Sequence, residues 1–456
     1  MLFSIVQRAW NWLRIDSRFV YFAVSAFTFF GLVIAVLNAR PIQDDYATLY
    51  LLTENGMLGY LETTWNTHGG NLTPMFFNAL FLLPSISGQT FWALSIFPVV
   101  NYLLLQMAFF SASSMLNPFS SRHFTRIQVF TFVNLIFLGS ESLFSPQFLE
   151  MTLFSSAVLV HLWPILFFFL ALGLLNSKGK ASFGALIALG FLSGNSNISE
   201  SLFVQLSCLL ILVLERIRIS FNVEIKRFVV FALSNLIGTL MILTAPGFWN
   251  RANEKNAQGI PDQFSEFFLR FAKSFVVFSA DVVSHPMLLI FIIIGFNFAI
   301  GDRRFLNAVS QFAVLLFALL FGSLVIGATI AYPAWHQSIG LVLLSPFVGM
   351  SVGEWIKSKN VLSLRTQFTF YSIVAVLVLV TLLRAFSAME SRAYRWDLGF
   401  AHNYCAVIAD SPKQLIGTET IYPISNLGIE DLNRWPWMRN AFTGWVTNSK
   451  FSERIC

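Results

Sequence analysis

Charge is what this chain has least of. Asp, Glu, Lys and Arg make up 11% of its 456 residues, where a water-covered domain carries roughly 25%. That shortage excludes a soluble globule, a disordered chain and a nucleic-acid binder, all of which need more ions. Cysteine is nearly absent as well, and three thiols cannot build the framework of a small secreted scaffold. No internal repeat, low-complexity tract or Gly-rich phosphate loop interrupts the sequence. In place of all these stands apolar bulk: 56% of residues are hydrophobic, 51 are Phe, and mean hydropathy is +0.68. The composition is that of an integral membrane protein.

A helix rises about 1.5 Å per residue, so crossing the ~30 Å hydrocarbon core takes roughly 20 mostly apolar residues. Such runs occur at 20–38, 91–111, 127–143, 151–175, 182–193, 200–214, 228–245, 284–300, 306–330, 337–356 and 367–388. They predict an all-α, polytopic fold with about eleven spans. The runs 182–193 and 200–214 are short and flank a Gly/Asn/Ser stretch, so they are expected to be helices broken near the outer face. Irregular backbone at that depth survives only where protein or water satisfies it. The first run has a basic flank, but it is long and lacks a good A-x-A cleavage signal, so it reads as an uncleaved span rather than a signal peptide.

Basic residues fall on every second connection: Arg8, Arg14 and Arg18; Arg122 and Arg126; Lys178 and Lys180; Arg216, Arg218, Lys226 and Arg227; Arg303 and Arg304; Lys357, Lys359 and Arg365. The positive-inside rule makes these loops cytoplasmic, with the N-terminus inside and the C-terminus outside. The same rule decides 72–84, which is apolar but too short to cross. Were it a span, every later basic loop would move outward, so it is expected to lie on or dip into the outer face. By the same logic 264–283 is an amphipathic lead-in to 284–300. The organisation expected is a membrane domain, 1–388, with a first outer loop at 39–90, and an outer C-terminal segment, 389–456. That segment is richer in charge and holds Trp396, Trp435, Trp437 and Trp445, enough for a small piece docked on the membrane surface. Cys405 and Cys456 would both lie in an oxidising compartment, where either a disulfide or two free thiols is open. Cys208 sits inside a span as a packing residue.

The outer loops carry nearly every residue with chemistry to offer. In the first, Pro41 ends a helix and Asp44 or Asp45 can cap the next. Adjacent positions on a helix point in different directions, so two carboxylates there have separate jobs. Their repulsion moves one toward a useful general-base range. The plain alternative is a cap with a solvated neighbour. At 245–251, APGFWNR breaks a helix at Pro246 and brings Arg251 back over the break. Its planar fork suits phosphate oxygens, with Lys255 a turn beyond; interfacial snorkelling competes. Glu200 opens a span after GNSNIS, where helix capping would also account for it. His161, in VLVHLWP, must face protein or water, as a satisfied interior side chain or as part of a site; the same choice holds for His336. No close His/Cys spacing suggests a metal. A Mg²⁺ or Mn²⁺ ion, if one is used, would fall to Asp44 and Asp45.

DDY at 44–46, WNTHGGN at 65–71, the Asn197/Glu200 cluster and APGFWNR at 245–251, all on one side of a many-span chain with basic inner loops, resemble the GT-C class of integral-membrane glycosyltransferases. Within that class the chain is most similar to bacterial and phage-borne glucosyltransferases that modify O-antigen. It departs at Gly70-Asn71, where relatives often read Gly-Arg, and at Phe248, where Asn is common. The resemblance implies a polyprenyl-phosphate-linked sugar as donor, a surface polysaccharide or lipid-linked acceptor, and a place in the bacterial cytoplasmic membrane with the site facing the periplasm. The roles it suggests are Asp44 as general base and Asp45 as its orienting partner. Arg251 and Lys255 would face the donor phosphate. Tyr46, Trp65, His68, His161, Glu200, Trp335 and His336 would line the sugar and acceptor pocket. An O-antigen ligase or polymerase fits the charge map nearly as well. A transporter or flippase would need ionisable residues at mid-membrane and repeated broken helices, neither of which the sequence displays. A non-enzymatic assembly subunit is the remaining alternative.

Overall fold

A computed structural model describes residues 17–37, 44–86, 92–113, 155–175, 179–216, 224–255 and 264–284, with isolated helical positions at 129–130, 133–134 and between 315 and 443. Among the described residues there are helices and no strands. The elements are α1 (Ser17–Leu37), α2 (Asp44–Thr67), α3 (Leu72–Ile86), α4 (Trp92–Ser113), α5 (Ser155–Leu174), α6 (Lys180–Gly194), α7 (Ile198–Arg216), α8 (Ile225–Thr244), α9 (Pro246–Lys255) and α10 (Phe264–Ser284). Four of them, α4, α5, α7 and α8, are long and apolar enough to cross a membrane. Leu233, Leu236, Ile237 and Leu240 stand exposed along α8, as Leu103 and Met107 do along α4. Apolar stripes of that length on a polytopic chain face lipid. This is an all-helical membrane protein.

Each helix begins where the local sequence allows it. The runs 72–84 and 264–283 are helical, as α3 and α10. The chain does break between the two short runs, at 195–197. The spans expected at 284–300, 337–356 and 367–388, and most of those at 127–143 and 306–330, lie outside the described residues, as does nearly all of the segment 389–456. Cys405 is disulfide-bonded and Cys208 is a buried free thiol in α7; Cys456 lies outside the described residues.

The core is aromatic. Trp163 stacks on Phe97 at 6.0 Å and meets Phe77 and Phe81 edge-on, while its indole N–H donates to Asn101 Oδ1 at 3.2 Å. Deeper along α5, Phe168 stacks on Phe231 of α8. Beside this core α6 and α8 run parallel with backbones nearly touching. A Cβ added at Gly194 would lie 2.0 Å from the Asn235 carbonyl oxygen, and one at Gly238 would lie 2.6 Å from that of Phe191. Gly190, Gly194, Ser234 and Gly238 make a small-residue seam, the usual route to close helix approach in lipid, where no hydrophobic force pulls helices together. Gly194→Val should therefore cost well beyond the ~1–3 kcal/mol of ordinary overpacking. The expected outcome is loss of monodisperse protein on size exclusion, with Leu240→Val, on the lipid face, unaffected.

The α6–α7 hairpin is short, and this shapes the site. Asn195 hydrogen-bonds the Gly238 carbonyl, while α8 continues to Thr244. The break therefore stops about 9 Å below the end of α8, at ~1.5 Å per residue. The α2–α3 tip at 68–73 fills that gap.

Candidate functional site

Asp45 is in the first turn of α2, where the helix dipole favours a carboxylate, and its side chain is fully buried. Ser156 Oγ donates to Asp45 Oδ1 at 2.6 Å. Ser155 Oγ lies 3.1 Å from the same oxygen and 2.8 Å from Asn78 Oδ1, so its single proton serves one or the other. The Asn78 amide nitrogen donates to Ser156 Oγ at 2.8 Å and to Thr48 Oγ1 at 3.2 Å. One carboxylate is thus tied to α3 and to the start of α5 through a buried polar network. Low local dielectric strengthens such a network when its groups are satisfied. Asp44 opens the same helix; its side chain lies outside the described residues. Tyr46 is buried beside Asp45. Burial first, and the Asp45 charge second, push its phenol far above the ordinary tyrosine range. It therefore remains a neutral hydroxyl at any physiological pH.

His161 stands on a feature the sequence did not announce. Val158–Leu162 is a turn of π-helix, closed by the Trp163 N–H on the Val158 carbonyl. Pro164 follows and has no N–H to give the carbonyl four residues back, which removes one bond that would hold this turn to α-helical pitch. π turns are frequent at functional sites. His161 Nδ1 meets Glu200 Oε1 at 3.0 Å, and the Asn197 amide nitrogen lies 3.3 Å from the same ring nitrogen. Asn197 Oδ1 accepts the Ser199 N–H, capping α7 and fixing which way its amide faces. The Glu200 side chain is 1% accessible and that of His161 is 20% accessible, so the open part of the pair belongs to the imidazole.

A third cluster gathers around the stretches 65–71 and 245–251. Asn195, 1% exposed, accepts the Thr73 N–H at 2.9 Å and the Thr73 hydroxyl at 3.2 Å. It donates to the Gly70 carbonyl at 3.0 Å and the Gly238 carbonyl at 3.3 Å. Its side chain satisfies an orphan N–H in the first turn of α3 and clamps the tip against α6 and α8. A Cβ at Gly70 would lie 2.6 Å from Ala245 Cβ. One at Gly247 would lie 2.7 Å from the Trp65 carbonyl oxygen and from the His68 nitrogen. The Asn250 amide donates to the Asn66 carbonyl at 3.1 Å. The stretch 65–71 and the stretch 245–251 are therefore packed on each other, with Trp65 half-buried and His68 exposed.

Arg251 and Lys255 lie in α9, in the same junction, with side chains outside the described residues; Trp335 and His336 also fall outside them. Among the described residues no three His, Cys, Asp or Glu side chains gather closely enough to hold a metal ion. Ser155, Ser156, Asn78 and Thr48 went unnoticed in the sequence. Their only signal was polarity inside apolar runs, LFSSAVLVH and MFFNALF. No known family model, curated protein or solved structure matches the chain.

Proposed function

We propose that this protein is an inverting glycosyltransferase of GT-C-like architecture. It moves one sugar, a hexose such as glucose, from a polyprenyl-phosphate carrier to a surface polysaccharide or lipid-linked acceptor on the outer side of the bacterial cytoplasmic membrane. The observation that carries this is convergence. The stretch 65–71, Asn195 and the stretch 245–251 lie far apart in sequence and meet, and the acidic start of α2 bonds Ser155 and Ser156, a few residues before the His161–Glu200 pair on the same helix. The other end of α6 and α8 is basic: Arg227 donates to Ser182 Oγ at 2.7 Å and to the Gly179 carbonyl, beside Lys180. That polarity is the one expected of a cytoplasmic face with about eleven spans behind it. The disulfide at Cys405 suits a C-terminal segment in an oxidising compartment.

In the reaction an acceptor hydroxyl oxygen bonds to the anomeric carbon from the face opposite the phosphate. The bond from that carbon to the phosphate oxygen breaks, and its electron pair leaves with the phosphate. The hydroxyl proton passes to the Asp44 carboxylate. Asp45, held by Ser155 and Ser156, fixes the start of α2. Arg251 and Lys255 offset charge developing on the phosphate. Mass spectrometry of surface polysaccharide from cells with and without the protein checks this. A difference of a single hexose is expected. An altered chain length would replace single-sugar transfer with a ligase or polymerase, and no difference would remove the glycosyltransferase assignment.

A further inference from the structure

We infer that an anionic phospholipid seats in the lipid-facing groove between α6 and α8, with its phosphate held by Lys180 and Lys226 and one acyl chain lying over Gly184. This seat is at the end of the two helices far from Asn195, and it does not depend on the glycosyltransferase reading.

The starts of α6 and α8 lie level. Arg227, in the first turn of α8, pairs with Glu224 at 2.9 Å and donates to Ser182 Oγ at 2.7 Å and to the Gly179 carbonyl at 3.3 Å. Those contacts fix its guanidinium between the two helices, with Glu224 offsetting its charge. Lys180 and Lys226 differ. Both are exposed, and among the described residues neither makes an ion pair. Helix periodicity sets which stripe each belongs to. Lys180, Gly184 and Ile187 share one face of α6, at i, i+4 and i+7. Lys226, Leu233 and Ile237 share one face of α8, at i, i+7 and i+11. Ile187, Leu233 and Ile237 are exposed, so each lysine stands at the foot of an apolar stripe that faces lipid. Cations level with the headgroups, and an apolar wall running inward from them, complement the two halves of an anionic phospholipid. Basic pockets between spans bind anionic headgroups in this way.

Basic residues gather at one end of spans whether or not a lipid binds there, but Gly184 needs a further reason. It lies inside α6, where glycine weakens a helix relative to alanine. A Cβ there would meet nothing within 4 Å, whereas Gly190 and Gly194 are pressed against α8. The chain's own packing therefore does not require glycine at 184. The hollow it leaves lies on the stripe above Lys180, where an acyl chain can approach the backbone.

The test is native mass spectrometry of the full chain in detergent, titrated with phosphatidylglycerol, with phosphatidylcholine of the same chains, and with glycerol 3-phosphate as the headgroup alone. Each lysine near the headgroups is worth about fivefold toward an anionic lipid. The wild-type protein should therefore bind phosphatidylglycerol at least about tenfold more tightly than phosphatidylcholine. Lys180→Gln and Lys226→Gln together should erase that preference, with thermal unfolding in lipid-free detergent unchanged. Lys273→Gln, at an exposed lysine of α10, should keep it. Gly184→Leu should weaken both phospholipids alike and leave the preference intact. An absent preference in the wild type, or a full one in the double variant, would overturn the seat. So would an equal loss in Lys273→Gln, since the attraction would then be that of net charge. If glycerol 3-phosphate displaces phosphatidylglycerol at equal concentration, the lysines hold a free anion rather than a lipid. If Gly184→Leu changes the oligomeric state and not lipid affinity, the hollow seats a second copy of the chain and the lipid seat is overturned.

Discussion

Replacing Asp44 and Asp45 together by Asn is expected to lower the rate of sugar transfer at least about 100-fold, with folded protein recovered in normal yield. The first half follows from losing the proposed proton acceptor, since a positioned general base is typically worth 10²–10⁴-fold. The second half follows from the network at Asp45. An Asn there keeps the shape of the side chain, and its carbonyl oxygen still accepts from Ser155 and Ser156. Asp45→Ala behaves differently. It takes the acceptor from the part-buried Ser156 hydroxyl, while Ser155 keeps Asn78, and should destabilise the fold by about 1–3 kcal/mol. The distinction is measurable by transfer from a polyprenyl-phosphate sugar in proteoliposomes alongside thermal unfolding. Normal transfer by the double Asn variant would remove the acid–base scheme altogether.

The second large effect is expected at Asn195. Its amide makes hydrogen bonds to Thr73, Gly70 and Gly238, and it is buried. Asn195→Leu fills the same volume but leaves the Thr73 N–H without its acceptor and removes the second hydrogen bond to the Gly70 and Gly238 carbonyls, which keep their backbone donors. The unsatisfied N–H costs about 1–3 kcal/mol and each lost bond to a carbonyl about 0.5–1.5, added only in part because they share one site. The expected result is a large drop in melting temperature together with release of the 65–73 tip, read as protease cleavage within that tip. Asn195→Asp is no rescue. A carboxylate can still accept from Thr73, but it has no protons for the two carbonyls and faces them with like charge. A variant that stays stable and protease-resistant would mean that the tip is held by the close packing of Gly70 and Gly247 alone.

Some of this architecture follows from the order of residues because the forces involved are local. Hydropathy summed over a helix length marks α4, α5, α7 and α8, as it marks the shorter α3. Pro246 stops α8 wherever that helix goes. The Gly/Asn/Ser stretch between two short apolar runs foretold the break at 195–197, since such residues cap and turn but do not span. The acidic pair, the 65–71 stretch and the 245–251 stretch stood out because polar residues are scarce in this chain.

What the sequence could not contain is which of those residues meet. Ser155 and Ser156 look like small residues in an apolar run until α2 lays Asp45 against them, more than a hundred positions away. The π turn under His161 and the Glu200 that meets it across the bundle leave no periodic signal. Composition and spacing therefore determined an all-helical membrane protein. Only the tertiary structure decided that Asp45 is buried on serines, that His161 is paired with Glu200, and that Asn195 pins the 68–73 tip to α8. The physical reason is that hydropathy and helix breaking act between neighbours, whereas a hydrogen bond between distant residues exists only after packing has brought them within about 3 Å.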